Sequence, residues 1–97
     1  MLTIKEITEK IMPILSNNDV ERAILFGSHA RNEASVDSDV DLMVDTKKTG
    51  LDFIQIMLEI QDVLGLNVDL IPQRSVDQNH KIYQNIMVEG VTVYEQS

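Results

Sequence analysis

Cysteine is absent from this chain, which excludes a disulfide framework, a thiol nucleophile and a thiolate metal site. Histidine is nearly absent. His29 and His80 are the only imidazoles, too few for a zinc centre in a chain without thiolates. Any metal bound here is expected to be a hard cation held by carboxylates. Basic residues are scarce as well, eight against sixteen acidic ones, for a net charge of −8. Lys47-Lys48 is the densest basic pair, so the electrostatic footprint of a nucleic-acid binder is missing. No apolar run approaches the roughly 20 residues of a membrane span. Residues 1–10 alternate apolar with charged side chains and lack the apolar core of a signal peptide. The expectation is a cytoplasmic protein that binds neither membrane nor nucleic acid, with an acidic surface suited to a basic protein partner.

What is present is 97 residues without repeat, low-complexity tract or linker, expected to form a single domain over residues 1–97. At that length roughly 60–70% of the surface of the unfolded chain is buried on folding, enough for one sheet with helices packed on it. Thr3 and Glu6 have the spacing of a capping box, and Ile4, Ile7, Ile11, Ile14 and Leu15 continue at helical spacing. Pro13 falls inside that pattern and is expected to kink the helix or end it early. Ser16-Asn17-Asn18-Asp19 reads as a turn. Ala23-Ile24-Leu25-Phe26 is a short apolar run ending at Gly27, the pattern of a strand buried on both faces. After a polar loop over residues 32–38, Val40, Leu42 and Val44 alternate with Asp39, Asp41 and Met43 as a second strand.

Residues 51–64 predict a helix stopped by Gly65. Because it is apolar nearly all round, it is expected to be covered on more than one side. Val68 and Leu70 mark a third strand, closed by Pro72. Ser75 and Gln78 offer a second capping box, leading into a helix with Ile82, Tyr83, Ile86 and Met87 that ends at Gly90. Residues 91–94 close the chain as a short strand. The order describes an α/β (α+β) domain with a single mixed β-sheet and packed helices. Met43, Met57 and Met87 are expected to fill the core, and Tyr83 and Tyr94 to pack with their hydroxyls exposed.

The chemistry concentrates in Gly27-Ser28-His29-Ala30-Arg31 and Asp39-Val40-Asp41. Residues two apart on a strand share a face, about 6.6 Å apart along it. Two carboxylates at that distance repel by about 2.5 kcal/mol at an effective dielectric of 20, so the pair is poorly explained as a stabilising feature. A divalent cation turns the repulsion into ligation. In Asn67-Val68-Asp69-Leu70-Ile71, Asp69 points away from the Val68–Leu70 face. If its strand neighbours the Asp39–Asp41 strand, three carboxylates converge, a set matched to two Mg²⁺ ions with phosphate and water completing their shells. A buried strand ending in Gly27-Ser28 and entering a short helix presents backbone N–H groups to phosphate. Gly27 leaves room for its approach, and Ser28 adds a hydroxyl. Arg31 is placed to meet a phosphate oxygen, an active-site carboxylate, or simply a neighbouring acid. His29 reads as a surface bystander.

Gly27-Ser28, ten intervening residues and then Asp39-Val40-Asp41 resemble the signature of the polymerase-β-like nucleotidyltransferases. The string GSHARNEASVDSDVDLMV is similar to their smallest branch, the minimal nucleotidyltransferases (MNT, or MntA-like proteins). The resemblance covers nearly the whole chain and implies the polymerase-β-like fold. It further implies metal ligation by Asp39 and Asp41, completion of a second metal site and activation of the acceptor hydroxyl by Asp69, and phosphate binding by Gly27 and Ser28. ATP is the implied nucleotide. Larger relatives carry an extra helical domain that shapes the acceptor site, and the expectation is that no sequence is left for one here, so the acceptor is supplied by another polypeptide. The implied partner is a HEPN-domain toxin, adenylylated on a tyrosine by an antitoxin of this kind. Three other readings stay open. The acidic pair could be the solvated face of an edge strand. The protein could be an antitoxin that only masks its partner sterically. It could also modify small molecules, as aminoglycoside-type nucleotidyltransferases do.

Overall fold

In the computed structural model, which describes residues 2–96, the chain enters its first helix through the capping box. The Glu6 N–H donates to Thr3 Oγ1 and the Thr3 N–H donates to Glu6 Oε1, both at 3.1 Å. Helix α1 (Ile4–Asn17) then buries Ile7, Ile11 and Leu15 completely. It does not end early at Pro13. That residue is exposed, and the buried stripe continues past it to Leu15, so packing outweighs the one hydrogen bond a proline forfeits. Strand β1 (Val20–Phe26), a single helical turn α2 (Gly27–Ala30) and strand β2 (Val40–Thr46) follow. Helix α3 (Gly50–Leu64), strand β3 (Val68–Pro72), helix α4 (Lys81–Glu89) and strand β4 (Val91–Glu95) complete the fold.

The four strands form one sheet in the order β3-β2-β1-β4. β1 runs antiparallel to both β2 and β4, and β2 runs parallel to β3, so the sheet is mixed, as the element order implied. Side-chain alternation divides it into two faces. On one, Ala23, Leu25, Val40, Leu42, Val44 and Val68 pack against Ile7, Ile11 and Leu15 of α1 and Ile56, Ile60 and Leu64 of α3. On the other, Ile24 and Met43 pack against Ile86 of α4, with Phe26, Ile71 and Tyr83 around them. This second face also carries Asp41 and Asp69, which alternate with the core residues of β2 and β3.

Three expectations are corrected here. Helix α3 buries only the stripe Ile56, Ile60 and Leu64, whereas Leu51, Ile54 and Leu58 are 83%, 45% and 49% exposed. Its apolar composition therefore exceeds what one sheet face covers. Ser75 does not cap a helix: residues 73–75 form a 3₁₀ turn, and α4 begins at Lys81 with His80 Nδ1 accepting the Ile82 N–H at 3.1 Å. The early start fails because Val76 returns to extended backbone and ends the turn. Of the three methionines expected in the core, Met43 is fully buried, but Met87 is exposed on α4. The stop at Gly65 does form, in the left-handed conformation (φ 68°) with its N–H on Gln61 O at 2.8 Å.

Candidate active site

The sheet register lines up the site. Across β1 and β2, Phe26 is the partner of Asp41, and across β2 and β3, Asp41 is the partner of Asp69. Two carboxylates therefore stand side by side on neighbouring strands of the face that α4 only partly covers. Asp39 lies one residue before β2 begins, just ahead of Val40, whose N–H donates to Asn67 O at 2.9 Å and docks the start of β2 onto the approach to β3. Burial of Asp41, the charge of Asp69 beside it, a hydrogen bond shared with Asp69 and the charge of Asp39 all hold the Asp41 carboxyl above the usual range. The nearby His29 pulls it the other way. Asp39 and Asp69 thus both lie close enough to act on Asp41.

Gly27 is required at the corner where β1 turns into α2. Its φ is +74°, and a Cβ built there would fall 2.2 Å from Asp41 Oδ2. Only glycine lets the backbone turn in the left-handed region while the Asp41 carboxylate lies against it. α2 is a single turn, too short for a sizeable dipole, and it offers the N–H groups of its first residues, which have no partner within a helix. The loop that follows is tied back to it: the Glu33 N–H donates to Ser28 O at 2.9 Å. Ser35 and Ser38 close a turn on each other, with the Ser35 N–H on Ser38 Oγ at 2.9 Å and the Ser38 N–H on Ser35 O at 3.1 Å. That turn sets Asp39 at the mouth of β2.

The family model for polymerase beta nucleotidyltransferases matches residues 9–97. The chain belongs to that family. A candidate protein adenylyltransferase of Methanocaldococcus jannaschii is 42% identical over 77 residues, covering 77% of this chain and 83% of that protein. The protein adenylyltransferase MntA of Thermococcus cleftensis is 37% identical over 82 residues, covering 78% of this chain and 83% of its own. A chain from a Shewanella oneidensis complex of a tri-AMPylated HEPN toxin with an MNT antitoxin superposes with a TM-score of 0.74. At 19% identity, over 97% of this chain and 74% of that one, it shares the fold.

Within this nucleotidyltransferase domain the sequence-derived residues sort clearly. Asp41, Asp69 and Gly27 are brought into one cluster, with Asp39 and Ser28 at its rim. Arg31 is not brought to the carboxylates but lines a cleft beside Gly27. Its Nε lies 3.3 Å from Glu33 Oε2 in an exposed ion pair, the structural role allowed for it above. His29 is no surface bystander. It is 4% exposed, with Nε2 3.5 Å from Ser38 O, and wedges α2 against the loop that carries Asp39. Its place between the Gly-Ser corner and the Asp-x-Asp strand was the one sequence cue to that role. Arg74 was also missed. Its Nε donates to Asp45 Oδ1 at 2.7 Å and its Nη2 to Glu21 Oε2 at 3.2 Å, fastening the end of β3 to β2 and β1. Among the described residues no three Asp, Glu or His side chains close into a ready-made cage for one ion. An open set of mutually repelling carboxylates suits Mg²⁺, which keeps water and substrate phosphates in its shell. No helix among the described residues is long and apolar enough to cross a membrane.

Proposed function

We propose that this protein is an antitoxin that transfers AMP from ATP to a tyrosine hydroxyl of a HEPN-family toxin. The observation that carries the reading is the register that sets Asp41 beside Asp69 with the Gly27 backbone against the Asp41 carboxylate. The names of its relatives, protein adenylyltransferases among them, support AMP as the group transferred. Asp39, Asp41 and Asp69 would hold Mg²⁺, probed best as a pair of ions, and that metal supplies neutralisation of charge on the phosphates and the attacking oxygen. Asp69, exposed on the edge strand β3, is open to an acceptor hydroxyl. It takes the phenolic proton as the tyrosine oxygen bonds to the α-phosphorus. The bond from the α-phosphorus to the bridging oxygen breaks, and pyrophosphate leaves on the N–H groups of Gly27 and Ser28.

The test is incubation of the protein with ATP, Mg²⁺ and its HEPN partner, followed by peptide mass spectrometry. The expected product is AMP on a tyrosine of the partner, lost when Asp41→Asn replaces the wild type. A partner neutralised equally well by Asp41→Asn, with no AMP added by either protein, would replace catalysis with steric masking.

A further inference from the structure

We infer that the cleft between the end of β1 and α4 holds the nucleobase of the donor nucleotide, an assignment that rests on the nucleotidyl-transfer reading above. The cleft has a volume of about 160 Å³ and opens beside Gly27 on the sheet face that carries Asp41 and Asp69. A nucleotide with phosphates on the Gly27-Ser28 corner therefore has this cleft within immediate reach. The carboxylates lie on the opposite side of Gly27, on β2 and β3, which leaves the β3 edge to the acceptor.

The lining selects a planar, neutral ring. Phe26, Ile82 and Ile86 form its apolar walls. Ile86 is the buried anchor of α4, whereas Ile82, one turn earlier, is 55% exposed and stands without a cover in the protein alone. A phosphate is disfavoured there because Glu89 is anionic and the guanidinium of Arg31 is already paired with Glu33. Asn85 supplies the reading group. A carboxamide offers one donor edge and one acceptor, the complement of adenine N6 and N7. Three larger clefts fit a base less well. One, of about 470 Å³ beside Asp39, carries the further carboxylate of Asp37. Another, of about 320 Å³, is lined by Leu2 and Leu64, which belong to the α1–α3 side of the sheet. The third, of about 260 Å³, is lined by Asn18, Glu59 and Asp62 at the α1–α3 side, away from the Gly27 corner.

The experiment is calorimetric titration of the full chain, in Mg²⁺, with the non-hydrolysable α,β-methylene analogues of ATP and GTP and with inorganic tripolyphosphate. Ile82→Ser is expected to weaken the ATP analogue about tenfold by removing a wall of the base site. Asn85→Ala is expected to erase an ATP-over-GTP preference of about tenfold. Tripolyphosphate affinity stays unchanged in both, as does every affinity in Val88→Ser, an exposed position on the same helix outside the cleft. ATP-analogue affinity unaffected by both cleft substitutions, or lowered equally by Val88→Ser, overturns the assignment while leaving nucleotide binding intact. A wild-type protein that binds neither nucleotide nor tripolyphosphate would remove the transfer reading and the base site together.

Discussion

Replacing Asp69 by asparagine should make the metal-free protein more stable. Asp41 and Asp69 are paired across adjacent strands, where the usual spacing is about 4.8 Å. Two ionised carboxylates at that distance repel by about 3.5 kcal/mol at an effective dielectric of 20 and by about 0.9 kcal/mol in water. Asp69 is exposed and Asp41 only half-buried, which places the value at the aqueous end, about 1 kcal/mol. For a domain of this size that corresponds to a rise in Tm of about 4–8 °C. The pH dependence has a definite sign. Burial and the charge of Asp69 raise the Asp41 carboxyl in the folded protein, so the native state binds more protons than the unfolded chain between the two values. Stability therefore falls as pH rises through that window, and the cost is absent below the unfolded value of about 3.9. Thermal unfolding followed by circular dichroism in chelator, at pH 7.5 and again below pH 4, measures this. Asp69→Asn should be the more stable protein at pH 7.5 and lose its advantage in acid. Added Mg²⁺ should raise the wild-type Tm and narrow the gap. A variant that is less stable at pH 7.5, or whose gain does not depend on pH, would refute the carboxylate cluster.

Gly27→Ala should abolish AMP transfer, by about a hundredfold or more, since the added Cβ collides with Asp41 Oδ2 and the left-handed φ is strained; turnover against the HEPN partner reads it. Gly90→Ala should destabilise by about 1–3 kcal/mol in a denaturant titration for a different reason, because its Cβ would lie 2.4 Å from Ile24 Cγ2 and 2.5 Å from Ile86 O. Ile60→Ala, in the fully buried stripe of α3, should cost about 2–5 kcal/mol, whereas Leu51→Gln on its bare face should stay within about 0.5 kcal/mol in the same titration.

The parts of the site legible in the sequence are those whose chemistry is local. Gly27-Ser28 and Asp39-Val40-Asp41 lie within fifteen residues, and their spacing alone indicated a phosphate corner next to a carboxylate pair. The partnership of Asp41 with Asp69 was conditional on strand order, a non-local property that β2–β3 pairing settles through the crossover by α3. His29 was misread because a polar side chain next to a loop has the local appearance of surface, and its burial depends on the Ser35–Ser38 turn folding back over it. The bare ridge of α3 was misread for the converse reason. Composition reports how apolar a helix is, and only the sheet decides how much of it finds cover. The late start of α4 was illegible because Ser75 and Gln78 have the local look of a helix start, and it is the return of Val76 to extended backbone that delays the helix to Lys81.

The most direct test of the carboxylate centre is the fate of label from ATP marked at the α- or the γ-phosphorus, with the HEPN partner as acceptor and Asp39, Asp41 and Asp69 each replaced by asparagine. Transfer of the α label to the partner with the γ label released as pyrophosphate, reduced at least a hundredfold in each variant, is the predicted result. Transfer of the γ label, or α-label transfer that survives all three substitutions, would contradict it.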